Sequence, residues 1–127
     1  MEITTKQSEL LKSSLDFMKQ LQICLNHFPR HEKFCLSQII RNIAYELHKL
    51  LYLSIIDKEL TEILKIKTKY YELKCNINLA RNLGYFDYIK NEKVECKSDN
   101  KVVVKRFIIL LEKLDIFYKN IKDYYKL

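Results

Sequence analysis

Cys24, His27, His31 and Cys35 place four soft ligand atoms within twelve residues, and thiolate and imidazole are the groups a zinc ion favours. Cys24 and His27 would share one helix face, and His31 and Cys35 the face of a following helix. This spacing fits no common zinc module, in which paired ligands flank a longer segment. Pro29, the chain's only proline, lies between the two pairs. We therefore read the segment HFPRHEKFCL as a corner between two helices and assign no metal. In that corner Phe28 and Phe34 should pack, Pro29 should fix the turn and Cys35 should face the core. Arg30 and Lys33 should stay exposed enough to meet an anion.

Catalysis needs a nucleophile beside a base, or a carboxylate pair with separated pKa values, and no motif marks either. With one glycine, Gly84, neither a P-loop nor a dinucleotide fingerprint can be written. The Glu-x-x-His pair of di-metal bundles is missing too. No catalytic residue and no cofactor is assigned, and His48 reads as a bundle-edge residue.

Binding is the remaining chemistry. Lys67, Lys74 and Arg81 recur every seven residues, which returns a straight helix to within about 20° of the same face. Asn78 and Tyr71 flank this line of charge, a set suited to phosphates or an acidic partner. Lys119, Lys122 and Lys126 form a second cluster, though cations at a helix C-terminus also complement the helix dipole. The net charge of +7 favours a polyanion partner. Lysine outnumbers arginine 19 to 4, a bias that AT-rich coding also produces.

The elements that must position these residues follow from composition and period. A chain of 127 residues, 48% hydrophobic and 31% charged, can build one core and one domain, residues 1–127. One glycine and one proline starve an all-β fold of turns and point to an all-α protein. No stretch approaches the roughly 18 apolar residues of a membrane span, and MEITTKQSEL lacks a signal-peptide pattern. We expect no membrane contact, a cytoplasmic location, and Cys24, Cys35, Cys75 and Cys96 as free, mostly buried thiols.

Leu11, Leu15, Met18, Leu21, Leu25 and Phe28 predict an amphipathic helix over about 5–27 that ends at Pro29. Leu36, Ile39, Ile40, Ile43, Leu47, Leu50 and Ser54, widened by Ala44 and Leu51, predict a second over about 32–54. That face is wide enough for contact on two sides. Asp57 should cap a third helix over about 58–86, with Leu60, Ile63, Tyr70, Leu73, Ile77, Ala80 and Leu83 inward and Gly84 near its end. Residues 87–100 read as a loop. Val104, Phe107, Leu111, Leu114, Tyr118, Ile121 and Tyr125 predict a fourth helix over about 101–125, capped by Ser98 or Asp99. Short first and second connections make an antiparallel four-helix bundle.

The ordered series FPRHEKFCLSQII, DKELTEILKI and YYELKCNINLARNLGYFD resembles a bacterial four-helix bundle superfamily. It holds the accessory variability determinant (Avd) of diversity-generating retroelements and the intervening-sequence proteins of ribosomal RNA genes. The resemblance covers about residues 8–122. Phe28, Pro29, Arg30, Glu32, Lys33 and Phe34 match its first interhelical segment, and Ser37 stands where glycine is usual. Lys74 matches the first of two helix-three arginines, Asn78 replaces the second, and Leu79, Ala80 and Arg81 follow. FYKNIKDYYKL stands in place of the glycine-rich, tryptophan-containing end of many Avd proteins. LLYLSIIDK departs from the intervening-sequence branch, which carries Asn-Ile-Ala-Glu-Gly there, so the Avd branch is favoured.

The resemblance implies a homopentameric barrel of bundles with a basic surface. It implies a non-catalytic accessory protein that binds a reverse transcriptase and its template RNA, with DNA as a further partner, to support mutagenic cDNA synthesis. Its binding residues would be Lys67, Lys74, Asn78 and Arg81, with Arg30, Lys33, Lys119 and Lys122. The alternative is an intervening-sequence-type oligomer with a structural role.

Overall fold

The computed structural model describes residues 3–94 and 97–127, with only the backbone of 97–100, so the thiol expected at Cys96 lies outside the described residues. Four helices carry the fold: α1 (Thr5–Leu25), α2 (Leu36–Ile56), α3 (Ile63–Asn82) and α4 (Lys97–Tyr125). A short antiparallel pair, β1 (Tyr88–Ile89) and β2 (Glu92–Lys93), precedes α4. Among the described residues no helix is long and apolar enough to cross a membrane.

α1 starts at a reciprocal cap: the Thr4 hydroxyl accepts from the Gln7 amide while the Gln7 side chain accepts from Thr4 N–H, so two orphan donors are satisfied together. Its inward face is Leu10, Ser13, Ser14, Phe17, Leu21, Cys24 and Leu25. The leucine stripe predicted for it is rotated from this face, and Leu15 is exposed. The two buried serines explain the rotation. Ser13 donates to the Leu10 carbonyl and Ser14 bonds His48 Nδ1 at 2.8 Å, so small polar residues occupy core positions that a hydrophobic template passes over.

α2 begins at Leu36, later than the expected 32, because residues 30–32 form a 3-10 turn after Pro29. The Glu32 carboxylate then accepts from Leu36 N–H at 2.9 Å. Ile39 is exposed, and Ile55 is buried in its stead. At the α2–α3 connection Asp57 caps a 3-10 turn over Lys58–Leu60, not α3 itself. The turn shifts the phase of the helical repeat, so Leu60 and Ile63 are exposed and Ile66 takes the first core position. α3 ends at Asn82, short of the expected 86, and Leu83 is exposed. Gly84 adopts φ +79° and lets Tyr85 N–H reach the Ala80 carbonyl at 2.9 Å, the bond that closes a glycine-terminated helix.

The segment expected to be a loop holds the β1–β2 hairpin. Lys90 and Asn91 both have positive φ (51° and 71°), as a two-residue turn between twisted strands requires. Helix α4 is already helical at Lys97, so Ser98 and Asp99 fall inside its first turn, and their side chains lie outside the described residues. Its core positions are Val103, Phe107, Leu110, Leu114, Phe117 and Ile121. Val104 is exposed, and Leu111, Tyr118 and Tyr125 pack only at the core's margin.

Helix α1 packs along α4 and α2 along α3. Cross-links fix the antiparallel senses: Gln7 to Tyr124 and Gln20 to the Arg106 carbonyl for α1–α4, Ser14 to His48 and Gln22 to Tyr45 for α1–α2. Phe17 stacks on Phe117 at 5.8 Å between α1 and α4. Tyr70 stacks on Tyr118 at 4.0 Å between α3 and α4.

Candidate nucleic-acid interface

Lys67, Tyr71, Lys74, Asn78 and Arg81 are all exposed on α3. Their spacings of four and three keep them on the flank of the helix beside α4. Two contacts settle that placement: the Tyr71 and Tyr118 hydroxyls lie 3.0 Å apart, and the Arg81 guanidinium sits 4.8 Å from the centre of the Phe107 ring. The line of charge legible in the sequence therefore borders a seam between two helices.

α4 adds to it. Lys122 Nζ lies 5.0 Å from the centre of the Tyr118 ring, so it joins Tyr71 and Tyr118 at one end of the seam. Antiparallel register sets Lys67 in the same neighbourhood, four residues before Tyr71. Asp115 lies on this flank as well, one turn before Tyr118, so the seam is not uniformly positive. Lys119 is exposed and lies one turn from both Asp115 and Lys122, at the outer edge of the same flank. Hydrogen bonding to Tyr71 and partial burial push the Tyr118 hydroxyl above the ordinary tyrosine range, and whichever hydroxyl of the pair accepts keeps its own hydrogen to donate to a phosphate oxygen. Cations spaced along a groove with aromatic rings between them can follow a single-stranded backbone and stack bases. Tyr118 was not legible as part of this surface, because its heptad position reads as core.

The corner residues are arranged differently from expectation. Phe28 is buried against Tyr85 (5.8 Å) and Phe86 (5.1 Å, edge-on), but Phe34 is 83% exposed and Cys35 is exposed. The 3-10 turn carries both outward, and Tyr85 and Phe86 fill the space Phe34 was expected to take. Cys75 is exposed as well, which leaves Cys24 as the buried thiol among the described residues. Arg30 and Lys33 are exposed, as expected.

The four soft ligands do not converge. Burial pushes the Cys24 thiol up to about 12, so it remains a thiol at neutral pH, and it lies against the Arg106 carbonyl. His27 Nδ1 accepts from Lys90 N–H at 2.8 Å, and His31 packs edge-on against Tyr85. Among the described residues no group of three His, Cys, Asp or Glu could hold a metal ion. In native protein, maleimide labelling mapped by mass spectrometry should modify Cys35 and Cys75 quickly and Cys24 only after unfolding.

His27 and His48 both sit below the ordinary imidazole range. Burial lowers His27, helped by Arg106 and Lys90, and burial alone lowers His48. Between those lowered values and 6.5 the unfolded chain binds more protons than the folded one, so stability is full above pH 6.5 and declines on acidification. The urea midpoint should fall between pH 7 and pH 5.5, and the fall should shrink in a His27→Gln, His48→Gln variant. Glu32 adds a separate decline below about 4.5. The Leu36 amide and the Tyr85 hydroxyl hold its carboxyl down, and that stabilisation is lost as pH falls through its folded value.

No protein-family model matches the chain, and no curated protein or solved structure matches it.

Proposed function

We propose that this chain is a non-catalytic accessory protein of the Avd kind, binding single-stranded RNA through the α3–α4 seam while it assists a reverse transcriptase. The observation that carries the reading is that Lys67, Lys74 and Arg81 share the flank of α3 that meets α4, beside Tyr71, Tyr118 and Lys122. The resemblance in the ordered motifs supplies the partner and the cytoplasmic setting. A net charge of +7 favours approach to a polyanion.

Self-assembly, as a homopentamer in the resembling family, belongs to the same proposal. The outer face between α1 and α2 exposes Leu15, Tyr45 and Tyr52, with Leu11 and Met18 half-buried beside them. Apolar side chains at matching helical spacing on two neighbouring helices suit burial against other copies. This face favours the second reading, an intervening-sequence-type structural oligomer. Fluorescence anisotropy with a labelled single-stranded RNA separates the two. Salt-dependent binding lost in a Lys67→Glu, Lys74→Glu, Lys122→Glu variant supports the first, and an oligomer without salt-dependent RNA affinity supports the second.

A further inference from the structure

Where α1 turns into α2, a cleft of about 420 Å³ opens between the corner and the tip of the β1–β2 turn. Arg30, Lys33 and Arg41 line it, and among the described residues none of the three takes part in an ion pair. Arg41 is held in place: its Nε donates to Gln22 Oε1 at 2.8 Å and its Nη2 to Asn26 Oδ1 at 2.9 Å. A guanidinium has five N–H donors, so three stay uncommitted on a group that cannot swing away.

The cleft also meets the start of α2, whose unpaired amides carry partial positive charge. Glu32 has already taken Leu36 N–H and the Tyr85 hydroxyl, and it does not line the cleft. The next residue, Ser37, does line it. Ser37 is 1% exposed, and its Oγ is the one buried side-chain oxygen or nitrogen among the described residues with no hydrogen-bond partner. A buried hydroxyl without a partner costs stability, and here it borders three cations.

Asn91 closes the cleft without competing for a ligand. Its Nδ2 donates to the Asn26 and Phe28 carbonyls at 3.1 and 2.7 Å, which uses both amide hydrogens and pins the hairpin to the corner. Walls, charge and hydroxyl are thus all supplied by elements that are tied together.

We propose that this cleft is a phosphate-binding site, with Arg30, Lys33 and Arg41 supplying charge and the Ser37 hydroxyl donating to one phosphate oxygen at the N-terminus of α2. Several cations around one small cleft suit a doubly charged terminal phosphate, whether it ends a nucleic acid or belongs to a small metabolite. The site stands apart from the α3–α4 seam and does not depend on it.

The test is titration of the full chain with inorganic phosphate, followed by amide NMR and calorimetry. The amides of Ser37 and Gln38 should shift and saturate. Ser37→Ala should weaken phosphate by about tenfold with the spectrum otherwise native, and Lys33→Glu, at an exposed position, should weaken it further. Lys74→Glu should leave phosphate binding unchanged, which separates this site from the seam. Competition assigns the source: a 5′-phosphorylated oligoribonucleotide that displaces phosphate where its 5′-hydroxyl counterpart does not identifies a nucleic-acid end, and displacement by neither identifies a small metabolite. Absence of saturable shifts at the corner, or equal phosphate affinity in the native chain, Ser37→Ala and Lys33→Glu, overturns the site.

Discussion

Reversing Lys67, Lys74 and Lys122 to glutamate should lower affinity for single-stranded RNA by about a hundredfold at moderate salt. It should also flatten the dependence of log K on log salt by about 2, since each phosphate contact on a single strand contributes about 0.7. All three lysines are exposed and none is in an ion pair among the described residues, so helicity should be retained. Arg81 is left out of this variant because its guanidinium packs on Phe107, and its loss would mix binding with stability. The matched control is Lys105→Glu and Lys113→Glu on α4 with Lys12→Glu on α1, which changes net charge equally at positions off the seam. If charge alone drives binding, both triples weaken it alike. If the seam is the site, the control retains most of the affinity.

Phe28→Ala should cost about 3–5 kcal/mol, the range for removing a fully buried phenylalanine. Phe34→Ala should stay within about 0.5 kcal/mol, as for surface positions away from special features. A small domain holds only about 5–15 kcal/mol in total, so the first variant should be close to unfolding at room temperature. Phe28 is 2% exposed and meets both Tyr85 and Phe86, which tie the end of α3 to the corner. Phe34 meets solvent and the Lys33 ammonium. Urea unfolding of the two variants reads the difference directly, and similar midpoints would contradict this packing of the corner.

These two phenylalanines mark how far the sequence could be read. Periodicity located four helices because α1, α2 and α4 each repeat apolar residues every three or four positions, and Pro29 and Gly84 punctuate them. Which stripe faced inward was less legible. In α4 the predicted set Val104, Leu111 and Tyr118 and the observed set Val103, Leu110 and Phe117 differ by one residue, and both share Phe107, Leu114 and Ile121. One flank of the helix meets α1 and the other meets α3, so both are apolar and the pattern alone cannot rank them. In α1 the buried serines hid the true face.

The candidate surface was half visible for a related reason. Lys67, Lys74 and Arg81 stood out by their seven-residue spacing, but their partners Tyr118 and Lys122 enter only when α4 is laid antiparallel to α3. The hairpin was invisible because Lys90-Asn91 is not the Asn-Gly pair that marks such turns, and β1 and β2 are two residues each. Ser37 looked like a mere substitute for glycine. Its unpartnered hydroxyl became apparent only once the cleft around it was formed.

The central claim is that RNA lies along the α3–α4 seam, and residue-resolved NMR during titration with a single-stranded RNA tests it most directly. The largest amide shifts should fall at Lys67, Tyr71, Lys74 and Asn78 on α3 and at Tyr118 and Lys122 on α4, and they should diminish as salt rises. Shifts confined to the α1–α2 face, or no saturable shift at all, would contradict it.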